Sequence, residues 1–134
     1  MRIISGDLKG KKIYLPQDKS TRPLRDLVKE SIFNLLEHSN KIDIKIKNSN
    51  VLDLFSGTGS FGIECISRKS KMVTFVENYE NALKILKKNI ENLNIQKKSK
   101  IFEKSCFNLF DSNNIFNSKF DIIFIDPPYK EEKI

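Results

Sequence analysis

A glycine-rich segment is the first part of the chain whose residue types and spacing could bind a ligand. Gly57, Gly59 and Gly62 fit the pattern GxGxxG, which follows a segment typical of a strand and begins one typical of a helix. Glu77 lies 20 residues beyond Gly57, at the end of the next apolar segment. Glycines let a backbone approach a ligand closely, and this carboxylate could accept hydrogen bonds from both ribose hydroxyls. The pattern predicts a site for an adenosine-containing cofactor, with a purely structural glycine turn as the alternative.

Asp53 indicates which cofactor this is. It lies inside the first strand, four residues before Gly57. A carboxylate at this point would repel the pyrophosphate of a nicotinamide or flavin dinucleotide, but it suits a cationic ligand. S-adenosylmethionine carries an ammonium and a sulfonium, so we expect this cofactor. The alternative for Asp53 is a strand aspartate whose oxygens accept hydrogen bonds from loop N–H groups.

A second motif follows the last apolar strand. Asp126, Pro127, Pro128 and Tyr129 stand at the carboxyl end of that strand, so they should lie at the same sheet edge as the glycines. Two prolines keep the chain extended and leave its carbonyls as acceptors. Asp126 and the Pro127 carbonyl could accept both N–H groups of a nucleobase amine, while Tyr129 stacks on the base. The motif predicts methyl transfer to an exocyclic amino group, against the alternative of a Pro-Pro turn.

The elements that must position these residues alternate along the chain. Apolar segments predict strands at 51–55, 72–77, 99–103 and 120–125, and helices are expected over about 24–37, 60–68 and 79–94. Because the strands have continuous apolar runs, we expect helices on both faces of a parallel sheet, a Rossmann-like α/β fold of strand order 3-2-1-4. On the first helix, the apolar residues fall on one face: Leu27, Val28, Ile32, Leu35 and Leu36.

Residues 1–50 carry a larger excess of positive charge than residues 51–134. The chain has 134 residues and a net charge of +7, with 11 basic and 6 acidic side chains before residue 51 and 13 and 11 after it. A basic surface favours a polyanion such as nucleic acid. We predict that residues 1–50 form an arm of a small β-hairpin and a helix, and that residues 51–134 form the cofactor-binding part.

Composition argues against several other classes of protein. No apolar run is long enough to span a membrane, and no secretory signal is present, so we expect a cytoplasmic protein. Cys65 and Cys106 form no CxxC pattern, and His38 is the single histidine. The sequence therefore predicts no metal site and no Ser-His-Asp triad.

Together these residues resemble the RsmD family, bacterial class I methyltransferases that use S-adenosylmethionine to modify a guanine N2 amino group of 16S ribosomal RNA, at position 966. The resemblance rests on Met1 to Gly6, Leu8 to Gly10, Thr21 to Pro23, Asp26, Val28, Lys29, Glu30 to Asn34, Val51 to Gly62, Glu77, and Asp126 to Tyr129. It implies that residues 51–134 are the N-terminal part of a methyltransferase domain. The arm would then face 16S ribosomal RNA or the small ribosomal subunit.

The resemblance also implies roles for individual residues. Catalytic residues are expected at Asp126, Pro127, Pro128 and Tyr129, and substrate contacts at Thr21, Arg22 and Pro23. Cofactor contacts are expected at Asp53, Phe55, Gly57, Gly59, Glu77, Asn78, Ser105 and Cys106. After the third strand, such enzymes often place Asp or Asn near the adenine, whereas this chain has Ser105 and Cys106.

Other functions stay open at this point. A DNA adenine-N6 methylase shares the second motif, but such enzymes usually insert a target-recognition region that is absent between Gly59 and Asp126. A protein glutamine methyltransferase would more usually have Asn in place of Asp126. A dinucleotide-dependent oxidoreductase and an inactive, truncated RNA-binding remnant are the remaining alternatives.

The length of the chain leads to a further expectation. A complete class I methyltransferase sheet has three more strands beyond the fourth, whereas this sequence continues for five residues after Tyr129. The segment Phe120 to Ile125 would then be an exposed apolar edge. We predict either a truncated product or a fragment, or a chain that covers this edge by self-association through the fourth strand. We also predict no catalytic turnover by the monomer.

Overall fold

The structure is a computed structural model that describes residues 1–17, 26–41, 45–107 and 119–127. Helices and strands alternate along the chain, as predicted. In chain order they are α1 (Asp26–His38), β1 (Asn50–Asp53), α2 (Ser60–Ser67), β2 (Met72–Val76), α3 (Glu80–Asn92), a short 3-10 helix (Gln96–Lys98), β3 (Ser99–Phe102) and β4 (Ile122–Phe124).

The four strands form one parallel sheet in the order β3-β2-β1-β4, which confirms the predicted topology. Val51 at the centre is in register with Val73 of β2 and with Ile122 of β4. All strands point the same way, so the residues after β1, β2, β3 and β4 gather at one edge. The sheet thus brings both sequence motifs together.

Helix α2 packs against β1 and β2, and one glycine permits this close approach. A Cβ atom on Gly62 would lie 2.4 Å from Cε1 of Phe75 and 2.8 Å from Cγ1 of Val73, so a side chain there would require a shift of the helix or of these buried side chains. Phe61 of the same helix stacks on Phe124 of β4, with ring centroids 3.8 Å apart, and on Phe33 of α1, at 5.1 Å. These rings connect α1, α2 and β4 within the core.

The buried face of α1 differs in part from the predicted one: Ile32 and Leu36 pack against the core as expected, but the other three predicted residues do not. Leu27 is 76% exposed, and Val28 and Leu35 are also exposed, whereas Phe33 and Lys29 are fully buried. The helix is rotated because the Lys29 ammonium has a partner in the interior, the Glu64 carboxylate at 3.1 Å. An apolar pattern assigns lysine to the surface, so it could not predict this face.

The N-terminal segment forms a compact turn, with one antiparallel bridge between Arg2 and Lys12 in place of a regular hairpin. Its backbone lies directly on α2. Gly6 has φ +87°, and a Cβ atom there would lie 2.0 Å from the Ser67 carbonyl oxygen. The Ser67 hydroxyl donates to the Ser5 carbonyl and accepts from the Leu8 N–H. Close backbone contact therefore fixes this segment to the sheet-bearing part.

Glu64 of α2 is the second attachment point. Its buried carboxylate accepts the N–H groups of Ile4 and Ser5 at 2.9 and 3.0 Å, pairs with Lys29 and accepts from Nε of Arg68 at 2.8 Å. Burial alone would raise the pKa of Glu64, but these hydrogen bonds and cations outweigh burial and lower it. The ionised carboxylate therefore joins the N-terminal segment, α1 and α2.

Candidate cofactor and methyl-transfer site

The loop between β1 and α2 has the backbone that its glycines predict. Gly57 and Gly59 adopt φ values of +57° and +95°, the left-handed region that favours glycine. A Cβ atom on Gly59 would also lie 2.6 Å from Cδ1 of Leu86 in α3. This loop, residues 54–59, is called the glycine loop below.

Ser56 fixes the start of the glycine loop to the sheet. Its hydroxyl donates to the Asp53 carbonyl at 2.8 Å and accepts the Val76 N–H at 3.1 Å, and its own N–H donates to the Val76 carbonyl. Gly59 donates its N–H to the Ser56 carbonyl at 2.8 Å. The loop is thus preorganised at the carboxyl ends of β1 and β2.

Glu77, directly after β2, connects the glycine loop to the start of α3. One carboxylate oxygen accepts the Gly57 N–H at 2.7 Å, and the other accepts the N–H groups of Tyr79 and Asn78 at 3.0 and 3.2 Å. A carboxylate offers about four acceptor positions, so one further hydrogen bond can be accepted here. Glu77 is half-buried and Asn78 is exposed beside it. Their predicted contacts with a cofactor stay predictions.

Asp53 is the most unusual polar residue of the site. Its side chain is buried, 1% exposed, and neither oxygen accepts a hydrogen bond of ordinary geometry from any residue that the structure describes. Burial raises the pKa of Asp53 to about 7; the nearby Gly62 N–H lowers it in part, and the negative charges of Glu77 and Asp126 raise it further. The loop N–H groups do not satisfy this carboxylate, contrary to the alternative interpretation. Such an orphaned acid fits a cationic ligand group.

Asp126 and Pro127 lie half-buried beyond β4. The last residue of that strand, Phe124, accepts the Leu54 N–H at 3.1 Å, which joins the end of β4 to the start of the glycine loop. Asp126 is close enough to Asp53 for its charge to affect that pKa. The sheet therefore brings these two acids together across 73 residues of sequence. Pro128 and Tyr129, and likewise Thr21, Arg22 and Pro23, lie outside the described residues.

The segment after β3 reaches the same edge. Phe107 packs edge-on against Phe55 of the glycine loop, with ring centroids 6.3 Å apart. Cys106 packs on the small apolar cluster around Leu52 and Val76, and the Ser105 hydroxyl accepts the Phe107 N–H at 3.3 Å. Ser105 and Cys106 are half-buried beside the glycine loop, and their contact with an adenine stays a prediction.

Two polar residues of this region were missed by the sequence analysis, Ser56 and Asn89. Asn89 lies fully buried on α3 and donates to the Thr58 carbonyl at 2.9 Å. The sequence does contain a signal for Asn89. It is a polar amide three residues after Leu86, at a position where the helical spacing predicts an apolar side chain.

Two negative findings concern the described ranges only. Within residues 1–17, 26–41, 45–107 and 119–127, no group of three histidine, cysteine, aspartate or glutamate side chains could hold a metal ion. Over the same part of the chain, every helix is too short or too polar to cross a membrane.

A parallel sheet of order 3-2-1-4 with a glycine loop and converging acids at its carboxyl edge defines the fold of the class I methyltransferases. A family model described as Conserved hypothetical protein 95 matches residues 1–134. The chain belongs to this family, the RsmD family that its sequence resembles.

Individual relatives agree with this assignment. The chain is 40% identical over 129 residues to ribosomal RNA small subunit methyltransferase D of Buchnera aphidicola subsp. Acyrthosiphon pisum, covering 96% of this chain and 63% of that one. It is 34% identical to the protein of the same name from Haemophilus influenzae, covering 96% and 64%. The structure of hypothetical protein TTHA0928 from Thermus thermophilus matches with a TM-score of 0.81 at 21% identity, covering 98% and 71%, and shows the shared fold. The chain thus spans slightly less than two thirds of these two curated relatives.

Proposed function

We propose that this chain carries the cofactor site and the methyl-transfer site of an enzyme that methylates the N2 amino group of a guanine in 16S ribosomal RNA, the family's guanine at position 966. The cofactor of this proposal is S-adenosylmethionine, and the cytoplasmic small ribosomal subunit or its RNA is the partner. The names of the relatives support ribosomal RNA as the substrate.

One observation carries the cofactor part of the proposal, the buried Asp53 carboxylate without a hydrogen-bonding partner among the described residues. In this position Asp53 would accept the cofactor ammonium, and Glu77 would use its remaining acceptor position for a ribose hydroxyl. S-adenosylmethionine would supply an electrophilic methyl group on its sulfonium.

The residues beyond β4 would act on the guanine. Asp126 and the Pro127 carbonyl accept the two N–H groups of the amine, which directs its nitrogen lone pair away from the ring plane. On receiving the methyl group that bound S-adenosylmethionine would supply, this nitrogen would gain positive charge, and the Asp126 carboxylate would stabilise it. Asp126 would then take one amine proton, so that the products would be N2-methylguanine and S-adenosylhomocysteine. Tyr129 is proposed to stack on the base.

Cofactor binding is tested with the 134-residue chain. Calorimetric titration should show binding of S-adenosylhomocysteine and none of NADH, and Asp126→Asn should bind as the wild type does. Binding of NADH alone would instead support the dinucleotide-dependent oxidoreductase.

Methyl transfer is tested with the 134-residue chain and with the longest protein that its open reading frame encodes. Tritiated methyl groups should enter small ribosomal subunits that lack the modification, be recovered as N2-methylguanine, and be lost in Asp126→Asn. Label in DNA adenine would support the DNA methylase, and cofactor binding without label in any nucleic acid would support the inactive remnant. Catalytic turnover by the monomeric 134-residue chain would show that the prediction of no turnover is wrong.

A further inference from the structure

The side chain of Asn89 joins two parts of the molecule that are distant in sequence. Its Oδ1 accepts the Tyr14 N–H at 2.8 Å, and its Nδ2 donates to the Tyr14 carbonyl at 3.1 Å and to the Thr58 carbonyl at 2.9 Å. The residue is fully buried, so no solvent competes for these bonds. An amide has one acceptor oxygen and two N–H donors, and here all of them are used.

Thr58 is the residue at which a hydrogen bond can control the glycine loop. It stands between Gly57 and Gly59, which both have positive φ values and little intrinsic preference for one conformation. The Asn89 amide fixes the Thr58 carbonyl and so the peptide plane between Thr58 and Gly59. That plane also orients the Gly59 N–H toward the Ser56 carbonyl. A single side chain therefore sets the backbone direction at the centre of the loop.

The same amide fixes the end of the N-terminal segment. Two exposed cations contact the Tyr14 ring, with Lys12 Nζ at 4.9 Å and Lys88 Nζ at 4.1 Å from the centroid. Replacing Asn89 would thus release this cationic surface as well as the loop. The bonds of Asn89 couple the two, because both end on one rigid helix, α3.

We propose that Asn89 is a positioning residue for the cofactor site, which holds the glycine loop in its binding conformation and fixes the N-terminal segment beside it. This inference rests on the proposed function, in that the glycine loop is taken to bind S-adenosylmethionine. A merely structural Asn89 would contribute to the free energy of unfolding without a specific effect on the loop or on cofactor affinity.

Two substitutions separate these roles. Asn89→Leu keeps the branched shape of the side chain and removes all three hydrogen bonds, whereas Asn89→Asp keeps an acceptor for the Tyr14 N–H and loses the donors to the Thr58 and Tyr14 carbonyls. The matched control is Ser67→Ala: Ser67 is also buried and also bonds the N-terminal segment, at Ser5 and Leu8, but its hydrogen bonds do not reach the glycine loop. Each variant is measured at a temperature where unfolding shows it to be fully folded.

The first readout needs no ligand. The Gly57 and Gly59 amides are hydrogen-bonded to Glu77 and Ser56, and hydrogen exchange at both should become at least about tenfold faster in either Asn89 variant and stay unchanged in Ser67→Ala. The second readout is S-adenosylhomocysteine affinity by calorimetry, which should fall about tenfold in the Asn89 variants and less than about twofold in the control.

Unchanged exchange at Gly57 and Gly59 in an Asn89 variant that folds would overturn the inference, and so would equal losses of affinity in Asn89→Leu and Ser67→Ala. If the wild-type chain binds no S-adenosylhomocysteine, the proposed function fails, and the exchange rates alone decide whether Asn89 holds the loop. If Asn89→Leu does not fold, Asn89→Asp gives the same comparison.

Discussion

At the scale of single residues, the unusual feature is a buried carboxyl group whose raised pKa leaves it only partly ionised near neutral pH when no ligand is bound. Burial raises the pKa of Asp53 to about 7 from an ordinary value of 3.8. A bound cation favours the ionised form, so ligand binding and proton release are linked. Below about pH 7, a ligand ammonium must therefore displace a proton from Asp53.

The first prediction concerns this linkage. The affinity for S-adenosylhomocysteine, which keeps the ammonium of the cofactor, should rise by up to about tenfold per pH unit as pH increases toward 7 and then level off. Asp53→Asn should bind about 30-fold more weakly at pH 8, which corresponds to ~2 kcal/mol, and lose the pH dependence. Titration calorimetry in buffers of different ionisation enthalpy measures both; a pH-independent affinity of the wild type would contradict the linkage.

The same shift affects the stability of the ligand-free protein. Because the folded-state pKa of Asp53 is raised, its contribution to the free energy of unfolding is present in full below pH 3.8 and is lost as pH rises through about 7. Asp53→Asn removes this loss, so at pH 8 the variant should be more stable than the wild type by about 1–3 kcal/mol. Urea unfolding of both proteins at pH 5 and pH 8 measures the effect. If the free energy of unfolding differs between variant and wild type by the same amount at both pH values, the effect is excluded.

The second prediction compares two glycines with the same backbone conformation. Gly6 and Gly10 have φ values of +87° and +82°, but an added Cβ atom would clash with the Ser67 carbonyl only at Gly6; at Gly10 nothing lies within 4 Å. Gly10→Ala should therefore cost only the backbone strain, about 1–2 kcal/mol, whereas Gly6→Ala should cost at least ~2 kcal/mol more. Thermal unfolding of both variants measures the difference, and equal losses would contradict the close packing of this segment on α2.

At the scale of elements, Glu64 and its partners hold α1 and the N-terminal segment on α2. The third prediction is that Glu64→Gln lowers the free energy of unfolding by about 3–5 kcal/mol at pH 7, because the buried Lys29 ammonium loses its ion pair with the Glu64 carboxylate. The double variant Lys29→Met, Glu64→Gln should regain part of this loss. Glu80→Gln, which breaks an exposed pair with Lys84, is the control and should cost below about 0.5 kcal/mol.

The pH dependence of this network has the opposite sign to that of Asp53. Since the folded-state pKa of Glu64 is lowered, its contribution is present above its ordinary value of 4.5 and is lost as pH falls below it. Acid unfolding of the wild type should thus begin below about pH 4.5, and Glu64→Gln should show a flatter profile there. A profile that the substitution leaves unchanged would mean that other carboxylates govern acid unfolding.

Elements of this fold could be predicted from the sequence where apolar residues alone set their position. The continuous apolar runs of β1 and β2 predicted the parallel sheet. In α3, the buried residues Ala82, Leu86 and Ile90 follow the apolar spacing of a helix. The buried face of α1 could not be predicted, because it depends on a lysine whose partner lies on another helix. Strand ends were also overestimated: β4 is regular only over Ile122–Phe124, because its pairing with β1 stops where β1 ends at Asp53.

The site was predictable in its acids and glycines but not in the bonds that organise them. Asp53, Gly57 and Glu77 are separated by fixed spacings within one strand-helix-strand unit, so a pattern indicates them. The burial of Asp53 depends on the helices packed over the sheet, and the three bonds of Asn89 depend on segments 31 and 75 residues away. Such contacts exist only in the folded chain.

At the scale of the whole molecule, β4 has one strand neighbour within the described part of the chain, β1. Its side chains alternate, so Ile122 and Phe124 pack on the core while Ile123 and Ile125 are 55% and 61% exposed. An apolar edge of this kind favours pairing with another strand. The self-association predicted from the sequence stays a prediction, which the exposed residues make testable.

The fourth prediction is that the 134-residue chain forms a concentration-dependent dimer through this edge. Ile123→Lys should weaken the dimer at least about tenfold, since a lysine on an edge strand opposes pairing. Leu35→Lys is a matched control, because Leu35 is exposed to a similar degree on α1. Sedimentation equilibrium gives the dissociation constants; a wild-type chain that stays monomeric at every concentration, or equal effects of both substitutions, would show that β4 is not the interface.

The stacked rings of Phe33, Phe61 and Phe124 have a consequence for synthesis of the protein on the ribosome. Phe33 stacks on Phe61, whose other face needs Phe124, 91 residues after Phe33 in the sequence. At about 5–20 residues per second, α1 is made roughly 5–20 seconds before that ring exists. Phe61 itself is made 63 residues before Phe124, so the nascent chain carries this ring with one face uncovered for roughly 3–13 seconds, and translation of β4 sets the earliest moment at which the core can close.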